Sequence, residues 1–393
     1  MFKFQCIRCG HTEEKEPVCR CSRCGGILAY ADAAAGWGQD RGINRYVRHL
    51  PVREKVRSLG EGGTPLIDIS EDRDREENIC LKVKCEFMNP TGSFKDRGMC
   101  VSLSRARELG IRTAVVASVG NASSSAAAYG ALNGITVYAA VPESTTVGKV
   151  YQALTYGAKL FKVPGGYSAS HELVREICEK NGLLNLTTTF VNPYNVAGFK
   201  TLGYELAEDL KDAPDFILVP IGAGPLLAAV YQAFEELLCQ KKVSKMPKLV
   251  GIQSDRCCPV VEAWQKGSRK VEAYCMKEAT IASGINDELR GYTDNGEYVL
   301  DLIRRTGGAA IGIPEEEVLR CTHDLGRHGL YVEPASASGL YAFRKLREQG
   351  VIRRGDTAVM IATGNGLKNP VKDFSFEPPV ITEARQFQSI VKE

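Results

Sequence analysis

No stretch of the chain approaches the roughly 20 consecutive apolar residues that span a bilayer. No apolar h-region follows the opening MFKFQCIRCG. Neither a membrane partner nor a secretory leader is therefore expected. An excess of one charge is also missing: 50 Lys and Arg stand against 47 Asp and Glu, a net charge of +3. A nucleic acid or an anionic surface selects a basic face, so neither is expected as a partner. Low-complexity tracts and internal repeats are absent. The five histidines fall outside every motif below, and none is assigned a role. Cysteine, by contrast, is plentiful. Fourteen thiols in 393 residues, outside any small secreted framework, point to a reducing, cytoplasmic home.

Four of those cysteines form two C-x2-C pairs, Cys6 with Cys9 and Cys21 with Cys24, each followed by glycine (Gly10, Gly25). Four thiolates at this spacing suit a closed tetrahedral zinc site, and they leave no open position for zinc catalysis. Cys19 is a spare that could compete with Cys21. The alternative is a cysteine-rich hairpin without metal. A nucleic-acid-binding ribbon would need a basic surround, which this one lacks.

From about residue 78 strand-like and helix-like segments alternate. ICLKVK (79–84), TAVVAS (113–118), ITVYAAV (135–141), AKLFKV (158–163), DFILVPI (215–221), KLVGIQS (248–254) and DTAVMIAT (356–363) read as strands, with helical patterns between most of them. Pro314 is expected in the first turn of a helix over 314–329. The alternation predicts largely parallel sheets covered by helices. The polar runs 70–78 and 285–297 are the expected mobile connections.

Ligands bind such sheets at the carboxyl ends of the strands. Four turns at those ends are rich in glycine and small polar residues: NPTGSFKDRG (89–98), SVGNASSS (118–125), PIGAGPLL (220–227) and ATGNGLKNP (362–370). The third lacks the Lys-Ser/Thr of a P-loop and the third glycine of the dinucleotide fingerprint. Its glycines still let backbone approach a phosphate at the start of a helix.

Taken together these stretches resemble the threonine synthase family. NPTGSFKDRG looks like its pyridoxal-phosphate lysine motif. The likeness runs on through EGGTPL (61–66), SVGNASSSAAAYGA (118–131), NPYNVAGFKT (192–201), the glycine loop, YVEPASASG (331–339) and ATGNGLKNP. Some members also begin with a similar Cys-paired ribbon. The resemblance implies an α/β protein of the fold-type-II, tryptophan synthase β-like kind. It would have two parallel-sheet domains and a small zinc ribbon. The division is 1–49 for the ribbon, 50–95 with 210–393 for the large cofactor-binding domain, and 96–209 for a small mobile domain. A homodimer is implied as well.

The resemblance also implies roles. Lys95 would bond to the cofactor aldehyde and serve as the base at Cα. Asn121 would meet the ring hydroxyl, Gly222, Ala223, Gly224, Pro225 and Leu226 the cofactor phosphate, and Thr363 the pyridine nitrogen. Ser118, Asn121, Ala122 and Ser123 would surround the substrate carboxylate. Simpler readings exist: Asn121 as a helix cap, Thr363 as a strand end, and Asp96 with Arg97 as a structural ion pair.

The pattern departs from the family at the substrate. NPYRLEG, whose arginine grips the substrate phosphate, is NPYNVAG here. Asn195 thus stands in place of a guanidinium, with Lys200 or Arg290 as possible replacements. Asn365 replaces a histidine common in the terminal loop. TIASGINDELRG (280–291) also departs from the usual substrate-side motif. The expected activity is elimination or replacement on an amino acid with a β- or γ-leaving group. Threonine synthase leads. The alternatives are a β-replacement such as cysteate synthesis from O-phosphoserine and sulfite, a serine or threonine deaminase, or a catalytically silent ligand-binding homologue.

Overall fold

The computed structural model describes residues 2–31, 36–118, 120–145, 147–371 and 382. Val119, which belongs to a stretch quoted above, lies outside the described residues.

Strands β1 (Phe4–Cys6), β2 (Thr12–Glu13) and β3 (Leu28–Tyr30) make a small antiparallel sheet, ordered β2-β1-β3. The rest of the chain builds two larger sheets. Its strands are β4 (Leu66–Asp68), β5 (Cys80–Lys84), β6 (Thr113–Ala117), β7 (Thr136–Pro142), β8 (Lys159–Val163), β9 (Leu184–Asn185), β10 (Phe216–Pro220), β11 (Lys248–Ser254), β12 (Ala309–Ile313) and β13 (Thr357–Ile361). Six of them form a sheet ordered β12-β11-β10-β13-β5-β4, parallel except for the edge strand β4. The other four form an all-parallel sheet, β8-β7-β6-β9. The apolar run FILVP of β10 is buried throughout, as befits a central parallel strand covered on both faces.

Parallel register sends the carboxyl ends of β5, β10 and β13 to one edge, where NPTG, PIGAG and ATGN follow. Two contacts join the first and last of these turns. Ser93 and Gly364 form an antiparallel bridge, and Phe94 N–H donates to Thr363 O at 3.0 Å. The helices Lys95–Glu108 and Pro193–Leu210 pack against each other. The core around the four-stranded sheet continues into the N-terminal ribbon through Phe4, Cys6 and Tyr30. No helix among the described residues is long and apolar enough to cross a membrane.

Neither expected connection is a bare loop. Residues 70–78 contain the helical turn Asp72–Glu76, where Glu71 N–H donates to Asp74 Oδ2 at 2.9 Å and Arg347 pairs with Asp74. In 285–297, Asp287, Leu289 and Asn295 are buried, and the helix Thr293–Arg305 begins. Polar composition signalled exposure, but these polar groups have internal partners. Pro314 caps its helix from outside, with extended ψ, instead of sitting in the first turn.

Candidate active site

Lys95 opens the helix Lys95–Glu108 directly after the turn that leaves β5. A charge there meets the positive end of the helix dipole. The side chain is half-buried, with its amine 4.3 Å from the Phe94 ring centroid. Burial lowers the Lys95 pKa to about 8, against the opposing pull of the Glu333 and Asp287 carboxylates. A lysine tuned this way offers its neutral amine near neutral pH, as a nucleophile or a base.

Its two successors hold the turn. They do not pair with each other. Asp96 accepts from Thr91 N–H at 2.7 Å and from the hydroxyls of Thr91 and Ser125 at 2.6 Å each. Arg97, fully buried, lies between Glu86 and Glu205 with N–O distances of 2.7 Å to each. Lys84 reaches Glu205 as well, at 3.1 Å.

Asn121 begins the helix Asn121–Asn133 but does not cap it; Gly120 holds the cap position. The Asn121 amide donates instead to Glu333 Oε2 at 2.8 Å, and its Oδ1 is buried without a hydrogen-bond partner among the described residues. Ser123 Oγ donates to Gly120 O, and Ser118 Oγ accepts from Gly120 N–H. Ala122 and Ser123 are buried, and the first backbone N–H groups of a helix have no partner within it. Thr363 Oγ1 lies 3.0 Å from Ser336 Oγ.

The glycine loop after β10 needs its glycines. Gly224 has φ +85°, and a Cβ there would fall 2.4 Å from Val299 Cγ2. A Cβ on Gly222 would come 3.3 Å from Asp287 Cβ. Pro225, at the start of the helix Pro225–Cys239, has no N–H to give, which removes it from the expected donors.

The expected substrate-side residues have partners within the protein. Asn195 is fully buried: its Oδ1 accepts from Ser102 Oγ at 2.7 Å and its Nδ2 donates to Leu186 O at 3.3 Å. Lys200 is buried too, paired with Glu236 and 5.6 Å from the Tyr30 ring centroid. Arg290 is half exposed and paired with Glu288. Each of the three is thus engaged with a partner of its own.

Three site residues escaped sequence reasoning. Glu333 stands inside a quoted stretch, directly before the helix Pro334–Glu348. Its Oε2 comes so near Gly364 that a Cβ there would sit 2.0 Å away. Asp287 is hidden in a polar run. Lys368 closes ATGNGLKNP, and its amine donates to Thr91 O at 2.7 Å and to Gln152 Oε1.

The four paired cysteines meet in space. Cys6, Cys9, Cys21 and Cys24 place their sulfurs within 4.8 Å of one another, with separations of 3.5 Å (Cys6–Cys24), 3.7 Å (Cys9–Cys21) and 3.4 Å (Cys9–Cys24). A tetrahedral ion with bonds of about 2.3 Å to sulfur sets the sulfurs about 3.8 Å apart. Cys19 is outside the cluster.

A family model described as pyridoxal-phosphate dependent enzyme matches residues 57–364. The chain is 37% identical to the threonine synthase of Methanosarcina acetivorans, over 97% of this chain and 96% of that protein. It is 36% identical to the threonine synthase of Methanocaldococcus jannaschii, over 93% of each. The chain belongs to the pyridoxal-phosphate-dependent enzymes, in their threonine synthase family. Among solved structures, maize serine racemase superposes with a TM-score of 0.63 at 20% identity, over 84% of this chain and 93% of that one. A threonine deaminase from Solanum lycopersicum gives 0.65 at 21%, over 79% and 85%. At these identities the likeness concerns the fold, which is fold type II.

The cleft suits the family's cofactor, which carries an aldehyde, a hydroxyl, a ring nitrogen and a phosphate. The Lys95 amine is of the kind that bonds to such an aldehyde. Asn121 Oδ1 and Ser93 Oγ are buried polar atoms without partners among the described residues, and buried polar atoms are seldom left so. The Gly222–Gly224 cradle has room that any side chain would remove.

Proposed function

We propose that the protein is a threonine synthase, which converts O-phosphohomoserine and water into threonine and phosphate. The observation that carries this is the setting of Lys95, in a chain that aligns with threonine synthases along nearly its whole length. Pyridoxal phosphate supplies the electron sink for the charge left at Cα when its proton departs. Lys95 is the base that takes this proton. Asn121 holds the ring hydroxyl, and Thr363 offers a neutral hydroxyl at the ring nitrogen. A neutral partner leaves the ring less protonated than a carboxylate would, which favours elimination and replacement. Ala223, Gly224 and Leu226 give N–H groups to the phosphate. The N–H groups of Asn121, Ala122 and Ser123, with Ser118, receive the substrate carboxylate at a helix start. The unit 96–209 closes over the cleft and excludes water until substrate is in place.

A second reading has a specific observation in its favour. Asn195 and Lys200 are turned into the core, and Arg290 is at the surface, so the cleft lacks the expected guanidinium grip on a substrate phosphate. A β-replacement on O-phosphoserine would need a different grip. Phosphate release from O-phosphohomoserine and O-phosphoserine, with identification of the amino acid formed, decides between them. Threonine from O-phosphohomoserine supports the first. Turnover of O-phosphoserine alone supports the second. The sulfur spacing of Cys6, Cys9, Cys21 and Cys24 supports one structural zinc ion.

A further inference from the structure

Asp287 is buried in a segment with no assigned role, packed on the glycine loop. One carboxyl oxygen, Oδ1, is held from two sides: Leu289 N–H donates at 3.0 Å and Tyr292 O–H at 2.7 Å. The other, Oδ2, lies 3.8 Å from where a Gly222 side chain would begin. Asp287 therefore lies beside the face of Gly222 that carries no side chain, its Oδ2 within van der Waals reach of that face. An ionised carboxylate beside a phosphate dianion would repel it, whereas a protonated one donates a hydrogen bond.

We propose that Asp287 is a positioning residue of the phosphate cradle, carrying a proton that it donates as a hydrogen bond to the cofactor phosphate. The proposal rests on the reading of the cleft as a pyridoxal-phosphate site. It makes the grip on phosphate depend on pH through this one carboxyl.

The surroundings agree. Burial is the largest influence on Asp287 and pushes its pKa up; the N–H of Leu289 and the hydroxyl of Tyr292 pull it down, Glu288 pushes it up and Lys95 pulls it down. Tyr167, from the helix Tyr167–Asn181, and Cys257, beyond β11, also face it. Neither is anionic near neutrality, since burial raises both. His171 stacks behind Tyr292, ring centroids 4.3 Å apart, and burial lowers its pKa to about 4, so it brings no charge. Lys95, whose pKa is about 8, also faces Asp287, so the probe must not depend on its titration.

The test measures binding of pyridoxamine 5′-phosphate to the cofactor-free full-length protein. This probe has no aldehyde with which to bond to Lys95. Pyridoxamine shares its ring and amine titrations but lacks the phosphate, so the ratio of the two affinities isolates the phosphate. As pH rises from about 7 to about 9, where the phosphate is already largely dianionic, the wild-type ratio should fall by about tenfold or more, the worth of a hydrogen bond to a charged group. Asp287→Asn, which keeps a donor and cannot ionise, should abolish the fall. Tyr292→Phe removes a hydrogen bond that favours the carboxylate, so its midpoint should move to higher pH. A purely structural Asp287 predicts no such shift. An undiminished fall in Asp287→Asn, or an unmoved midpoint in Tyr292→Phe, would overturn the proposal. Failure of the wild type to bind either probe at any pH would instead remove the cofactor reading on which it rests.

Discussion

Asn121 Nδ2 donates to Glu333 Oε2 over 2.8 Å, linking the turn after β6 to the helix that follows Glu333 on the six-stranded sheet. The same carboxylate stabilises the ammonium form of Lys95. Glu333→Gln keeps an acceptor for Asn121 and removes the charge. The Lys95 pKa, about 8 in the wild type, should then drop further. The rate at which cofactor-free protein captures pyridoxal phosphate follows the neutral amine, so its rise should begin at lower pH in the variant. A midpoint that stays or climbs would show that Glu333 does not act on Lys95.

The Arg97 cluster predicts an acid-sensitive fold. Glu205 is buried, which alone would raise its pKa, but Arg97 and Lys84 hold it down at about 2. Its folded-state value lies below the unfolded carboxylate value of about 4.3. The stabilisation is thus complete above that pH and is lost as pH falls toward about 2. Arg97→Met leaves Glu86 and Glu205 unpaired and should cost roughly 3–5 kcal/mol. Denaturant titration at pH 7 and at pH 4 checks both statements: a loss below 1 kcal/mol would count against the network.

Asn195→Arg restores the residue that the family pattern leads one to expect. In this fold it would place a guanidinium where Asn195 now meets the Ser102 hydroxyl and the Leu186 carbonyl, neither of them charged. Destabilisation by roughly 3 kcal/mol or more is expected, with no gain in affinity for a phosphorylated substrate. A stable variant with a lower KM would mean that position 195 reaches the cleft after all.

The legible part of this protein was the part governed by backbone demands. Lys95, the Gly222–Gly224 loop and Thr363 follow strand ends, where turns impose glycine and small polar residues. β10, β11 and β13 were visible as buried apolar runs. β12 was not, because AAIGI has two alanines and a glycine where Val or Ile would signal a strand, and Gly312 is crowded by Asp255. Asp287 went unseen for a different reason. A carboxyl in a polar run reads as solvated, and only the fold reveals that Tyr292 and Leu289 hold it in the core. Likewise nothing in NPYNVAGFKT indicates that Asn195 and Lys200 point inward, since the helix Pro193–Leu210 is buried over most of its length.

The cysteine cluster predicts about one zinc per chain, abolished by Cys21→Ser while Cys19→Ser retains it. The ribbon is tied to the rest of the protein through Glu16 with Arg105, at 2.8 Å, and Arg20 with Asp294, also at 2.8 Å. Metal loss should therefore lower the melting temperature of the whole protein. Metal analysis and a thermal scan test this. A metal-free wild type of full stability would refute it.

The most direct test of the account is to identify the residue that carries the cofactor. The protein would be loaded with pyridoxal phosphate, reduced with borohydride, digested and sequenced by mass spectrometry. The prediction is a single pyridoxyl-modified lysine, Lys95, with no modification and no visible absorption band in Lys95→Ala. Modification of another lysine, such as Lys368 or Lys200, or an undiminished band in Lys95→Ala, would contradict it.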